Sequence, residues 1–170
     1  MKSKVIAVIA SVPVVVVLAV IFSVSRLSIE HLIICSADSE SFIIPYNVCE
    51  YYLYNHSGRE DAIHLDDGAG LSYVFEIQDR EEKYNIINHL ISIGVDVNGV
   101  SNIDGLTPLN AAILINDSDL VKYLIEKGAS LEKKDSSHQL GPKEYVEFLQ
   151  SNDPDTNRSK IHETILNNMQ

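Results

Sequence analysis

A chain of 170 residues has room for one modest domain and an appendage, and its 45 % hydrophobic content is unevenly distributed. The formal net charge is −11; setting aside the first 26 residues removes Lys2, Lys4 and Arg26 and no acidic group, which leaves ten basic against 24 acidic residues, a net charge of −14. Such a domain repels phosphate backbones, so the charge argues against nucleic acid as a partner and for a basic protein surface or a cation.

The appendage comes first. From Val5 to Val24 the chain is free of charge and includes the run Val14, Val15, Val16, Val17, Leu18, Ala19, Val20, Ile21 and Phe22. Twenty uncharged, mostly apolar residues at 1.5 Å rise span roughly 30 Å, the thickness of a bilayer core. Lys2 and Lys4 precede the run and Arg26 follows it, so the excess positive charge favours a cytoplasmic N-terminus with the rest of the chain outside. Residues 1–26 are therefore expected to form a transmembrane anchor; a signal sequence cleaved near Ser23 and Ser25 is the competing reading, opposed by the length of the apolar run. Leu32, Ile33 and Ile34 supply no small residues before Cys35, and this disfavours a lipoprotein anchor there. If the segment is exported, Cys35 and Cys49 are a candidate disulfide across a short loop, with two buried thiols as the alternative.

Residues 27–67 read as an N-terminal capping region of mixed pattern. A short apolar piece, Ser41 to Ile44, ends at Pro45, which is suited to begin a helix from Tyr46 to Tyr54 with Val48, Tyr51, Tyr52 and Leu53 on a core. Its tyrosines are expected to fill that core. Asn55 to Asp61 reads as a polar loop and Asp66 to Gly70 as a turn.

From Leu71 onward helix and turn alternate. Leu71, Val74 and Phe75 mark one face of a helix over Leu71 to Ile77, and Asp79 to Glu82 make the connection. A second helix runs from about Lys83 to Ile93, its apolar stripe being Ile86, Ile87, Leu90 and Ile91, and Gly94 ends it. After a polar turn, Thr107 caps the next helix and Pro108 takes its first turn, where a missing N–H costs nothing. Leu109, Ala112 and Ile113 face inward. Asn116 and Asp117 turn the chain into a partner helix, Asp119 to Lys127, which buries Leu120, Val121, Leu124 and Ile125 before Gly128 closes it.

Shifting this segment by 34 residues carries Gly128 onto Gly94 and Pro108 onto Pro142, the fixed period of a stacked repeat. Gly105, Thr107, Pro108, Leu109, Ala112, Val121, Leu124, Gly128 and Ala129, with Gly94, Asp96, Val97 and Asn98 in the preceding turn, resemble the ankyrin repeat. Asn110 stands where that family usually has histidine, Asn116 and Asp117 replace Gly-His, and the period is 34 instead of 33. Residues 68–100 are the expected upstream unit. Pro142, Tyr145, Val146, Phe148 and Leu149, then Ile161, Ile165 and Leu166, are the two helices of a downstream one. The fold expected is all-α: an ankyrin-repeat solenoid of about three helix-turn-helix units over residues 68–170, behind the anchor and capping region.

Nothing in the chain reads as catalytic. It has no nucleophile elbow, phosphate loop or zinc-type cysteine pair. His56, His64, Asp66 and Asp67 are near one another in sequence, but polar loops of this composition are common, and no metal or cofactor is expected. What the resemblance implies is protein binding, by projecting turns and first helices that line one face. The corresponding positions are Val100, Ser101, Asn102, Ile103, Asp104, Leu106, Asn110, Leu114 and Ile115, and, in the following turn, Lys133, Lys134, Asp135, Ser136, Ser137 and His138. Ile103 is the sharper clue, since an apolar turn tip is exposed to little purpose unless a partner covers it; packing on the neighbouring turn is the alternative. A small, non-catalytic, acidic binder tethered outside a membrane is similar to the immunity partner of a secreted, basic or membrane-active toxin. An envelope scaffold supporting an exported enzyme is the alternative expectation.

Overall fold

The structure is a computed structural model that describes residues 15–37 and 44–169. Those residues are helical and contain no strand. They fall into two compact units that divide between Ser57 and Gly58.

The described part of the first unit holds three helices, α1 (Val15–Val24), α2 (Ile29–Ala37) and α3 (Tyr46–His56). Residues 1–14 of the expected anchor, and Ser41 to Ile43 of the apolar piece, lie outside the described residues. Among those described, no single helix is long and apolar enough to cross a membrane; α1 and α2 pass that test only as a pair bent by 117°. The two differ in how their apolar surface is used. On α1, Val15, Val16, Val17, Leu18, Ile21 and Phe22 are all exposed, whereas α2 buries Ile29, Leu32, Ile33 and Cys35. Cys35 is joined to Cys49 of α3 by a disulfide, with Cα atoms 5.8 Å apart.

The bridge fixes which face of α3 looks inward. Cys49 and Leu53, one turn apart, are fully buried. Tyr51 sits about 200° round the helix from Cys49 at 3.6 residues per turn, and it is 57 % exposed, as Tyr46 is 51 % exposed. The expectation that Tyr51 packs in a core is thereby corrected.

The second unit opens where a polar loop was expected. Helix α4 (Arg59–Asp66) occupies part of the Asn55 to Asp61 segment. Its first turn is held by the Asp61 carboxylate, which accepts the Gly58 N–H at 2.8 Å, while Ala62 and Leu65 are buried. The helix expected from Leu71 to Ile77 is a single 3-10 stretch, Gly70–Val74. Gly70 enters it at a positive φ of 60° and the Ser72 hydroxyl bonds back to the Ala69 carbonyl at 2.7 Å. Phe75 and Ile77 then continue with i to i−3 bonds, so the α pattern never starts.

Helices α5 (Arg80–Ile93), α6 (Pro108–Leu114), α7 (Ser118–Glu126), α8 (Pro142–Asn152) and α9 (Ser159–Asn168) follow. Helix α5 begins three residues earlier than expected, because the Asp79 carboxylate caps it by accepting the Glu82 N–H at 2.9 Å. Gly94 ends it at a φ of 108°, where a Cβ would lie only 2.5 Å from an Arg59 guanidinium nitrogen. Thr107 caps α6 by accepting from Asn110 N, with Pro108 in the first turn. Helix α6 packs on α7, α8 and the 3-10 stretch, and α9 on α7 and α8, so successive helix pairs bury apolar surface against each other. That core includes Ile86, Ile87, Leu90, Leu109, Ala112, Ile113, Leu120, Val121, Leu124, Tyr145, Val146, Ile161 and Ile165.

Candidate functional site

The turns between helix pairs are built alike at 34-residue spacing. Ser101 N–H donates to the Leu106 carbonyl at 2.9 Å, and Asp135 N–H donates to the Leu140 carbonyl at 3.1 Å. In each finger the first side chain is buried and closes the turn from within. The Ser101 hydroxyl accepts from Ile103 N and Asp104 N; the Asp135 carboxylate accepts from Gln139 N at 3.1 Å and from His138 N.

Successive fingers are laced together. Asn102 N–H reaches the Gly68 carbonyl at 2.9 Å, and Ser136 N–H reaches the Gly105 carbonyl at 2.8 Å. Gly105 is required where the fingers meet: its φ is +72°, and a Cβ there would stand 2.7 Å from the Ser136 hydroxyl. At the opposite ends of the turns, Asn98 bridges to the next unit by donating to the Gly128 carbonyl at 3.2 Å and accepting from Ser130 N at 2.6 Å.

The side chains expected to meet a partner divide into two sets. Asn102, Ile103, Asp104, Leu114, Lys133, Lys134 and His138 are exposed and Val100 is half-buried. Ile103 projects furthest, at 76 % exposure. Leu106, Asn110 and Asp135 are buried, which removes them from direct contact with a partner. Leu106 is held under its finger, while Asn110 and Asp135 are spent on each other: the Asn110 amide donates to the Asp135 carboxylate at 2.8 Å and to the Leu140 carbonyl at 3.1 Å. Their work is to fix the second finger on the first helix of the central unit.

Two features escaped the sequence reading. Phe148 is 39 % exposed and lies 34 residues after Leu114, so the two occupy equivalent places, two turns into α8 and α6, with Ile115 exposed beside Leu114. The signal was available, because adding the period to Leu114 lands on Phe148. His138 from the second finger lies against the same surface, its ring 5.2 Å from Phe148 and 5.4 Å from Tyr145. Desolvation first, then the negative charges of Asp135 and Asp104, push the Tyr145 hydroxyl above its ordinary pKa, so it stays protonated here.

The second feature is a cleft of about 260 Å³ on the other helices of the pairs, lined by Arg80, Tyr84, Asp119, Lys122, Tyr123 and Glu126. Asp119 is its electrostatic centre, 3.0 Å from Arg80 and 3.3 Å from Lys160, so one carboxylate ties α5, α7 and α9. The bond from Lys160, and then that from Arg80, holds the Asp119 carboxyl below the usual range. The Tyr84 and Tyr123 rings pack with centroids 4.4 Å apart, and Arg80 and Lys127 lie over them. Among the described residues no three metal-ligating side chains converge, and His56 instead packs on Tyr52 with ring centroids 4.6 Å apart.

Residues 81–136 match the family model of ankyrin repeats (many copies). This segment is similar to ankyrin repeats. The match covers α5 from its second residue, the first finger, α6 and α7, and stops at the start of the second finger. Ankyrin repeats form a non-catalytic fold that binds other proteins. Comparison with curated proteins finds no match, and neither does comparison with solved structures.

Proposed function

We propose that this protein holds a cognate protein partner on the face formed by the finger tips, the end of α6 and Phe148 of α8, and that it does so outside a membrane, tethered by its N-terminal segment. The observation that carries the reading is the exposure of Ile103, Leu114, Ile115 and Phe148 in a unit whose other large apolar residues are mostly buried. Apolar side chains gathered on a rigid repeat face gain about 25 cal/mol for each Å² that a partner covers. The acidic balance of the chain favours a basic partner and raises its rate of encounter.

The tether is supported by the uncharged run from Val5 to Val24, by the exposed apolar surface of α1 and by the disulfide, which persists in oxidising compartments. Its neighbour α2 is committed elsewhere, since its apolar residues are buried and bridged to α3, so α1 with the residues before it is the segment left for the membrane. A small binder so placed acts by occlusion. Its partner is a secreted antibacterial toxin, and the chain is then an immunity protein covering the toxin's active site or its membrane-approaching surface.

The test is purification of the full chain from membranes, followed by mass spectrometry. One basic protein recovered in a fixed ratio, together with survival of producing cells exposed to it, is the expected result. Recovery of no stable partner removes the proposal, and recovery of an exported enzyme that retains its activity replaces the toxin with a supported client.

A further inference from the structure

Four of the eight tyrosines of the chain, Tyr46, Tyr51, Tyr52 and Tyr54, lie on the eleven residues of α3. Tyr46 and Tyr51 are more than half exposed; at 3.6 residues per turn they lie about 140° apart round the helix with Tyr54 between them, and the Tyr51 ring also makes edge contacts with Tyr52 at 6.1 Å and His56 at 5.6 Å. On α2, Ile34 is 43 % exposed. No Lys or Arg occurs between Leu27 and Gly58.

This hairpin is attached to α1 by the four residues Ser25 to Ser28, and the chain bends by 117° between α1 and α2. A spanning helix stands within about 20° of the bilayer normal on average, so a bend of this size brings α2 to roughly 30° from the membrane plane. The disulfide then carries α3 with it. Tyrosine, with an apolar ring and a polar tip, is the side chain enriched where hydrocarbon gives way to headgroups.

We infer that the α2–α3 hairpin is an interfacial membrane module, with the tyrosine face of α3 resting among the lipid headgroups on the outer side. The inference depends on α1 being an anchor, but it adds a separate contact with the bilayer. Such a contact restrains the hairpin at the surface, where the anchor alone would leave it free to turn.

The experiment uses the full chain in phosphatidylcholine nanodiscs. Ring signals of Tyr46 and Tyr51 are followed by NMR as lipid carrying a headgroup spin label is added, and, separately, with a water-soluble paramagnetic probe. The expected result is at least several-fold stronger broadening by the lipid label than by the soluble probe. Equal or stronger broadening by the soluble probe, in a chain that resists alkaline extraction from membranes, overturns the interfacial module and leaves the anchor standing. Release of the chain by alkaline extraction overturns the anchor and the module with it.

Discussion

The central repeat and the N-terminal hairpin are both pairs of short helices, yet they are held by different means. In the repeat, α6 and α7 bury Leu109, Ala112, Ile113, Leu120, Val121 and Leu124, receive caps from Thr107 and Asp117, and are laced to the next finger through Asn110 and Asp135. The hairpin is stapled instead. Pro45 gives α3 no side-chain cap, its inward face is Cys49 and Leu53, and the bridge to Cys35 takes over what a larger core supplies in the repeat. Small units with little apolar surface to bury are commonly stapled in this way.

That contrast can be broken from either side. Replacing Leu120, which is fully buried, by alanine in the repeat is expected to destabilise the second unit by about 3 kcal/mol, within the 2–5 kcal/mol seen for such truncations, as read from denaturant unfolding. Leaving the leucine and reducing the disulfide instead is expected to cost the first unit about 3 kcal/mol, the value for a closed loop of this size, with little change in the second. The two treatments should move different transitions; a single shared shift would mean that the units unfold as one.

A smaller effect sharpens the account of the fingers. Asp135→Ala strips the Asn110 amide and the N–H groups of His138 and Gln139 of their acceptor, at an expected cost of about 2 kcal/mol. Hydrogen exchange at those amides should rise well before exchange in α5 does. Smallest is the tie at Asp119, whose side chain is 46 % exposed. Because its folded pKa is lowered, its contribution is present above the ordinary carboxylate value of 3.8 and is lost as pH falls through the lower folded value. After discounting for solvent, it is worth less than about 1 kcal/mol and shrinks with added salt. Asp119→Asn should flatten the acid limb of the stability curve by that amount and leave stability near neutral pH only slightly reduced.

How much of this could be read from the residues depended on local rules. Gly94, Thr107, Pro108 and Gly128 each announce a helix end by their own backbone chemistry, so the register of the central repeat was legible without any contact being known. The 3-10 stretch at Gly70 to Val74 was not, because Leu71, Val74 and Phe75 fit an α face equally well and only the hydroxyl of Ser72 and the φ of Gly70 decide the matter. The last unit hides a second offset. Asn116 meets Asn157, and Asp119 meets Lys160, at 41 residues instead of 34, since α8 runs on to Asn152 and a loop follows before α9. At the site, exposure could be guessed for a turn tip such as Ile103. The burial of Asn110 and Asp135 could not, because it arises from the neighbouring finger closing over them.

The claim on which the function rests is that the partner is gripped by the finger tips, the end of α6 and Phe148 of α8. The direct measurement is the affinity of the co-purified partner for the full chain carrying Ile103→Asp with Phe148→Asp, beside one carrying Lys122→Asp in the opposite cleft. Both variants change exposed residues, so melting should be nearly unchanged. At least a tenfold loss, about 1.4 kcal/mol, is predicted for the first and none for the second; unchanged affinity in the first with loss in the second would place the partner on the other helices and contradict the account.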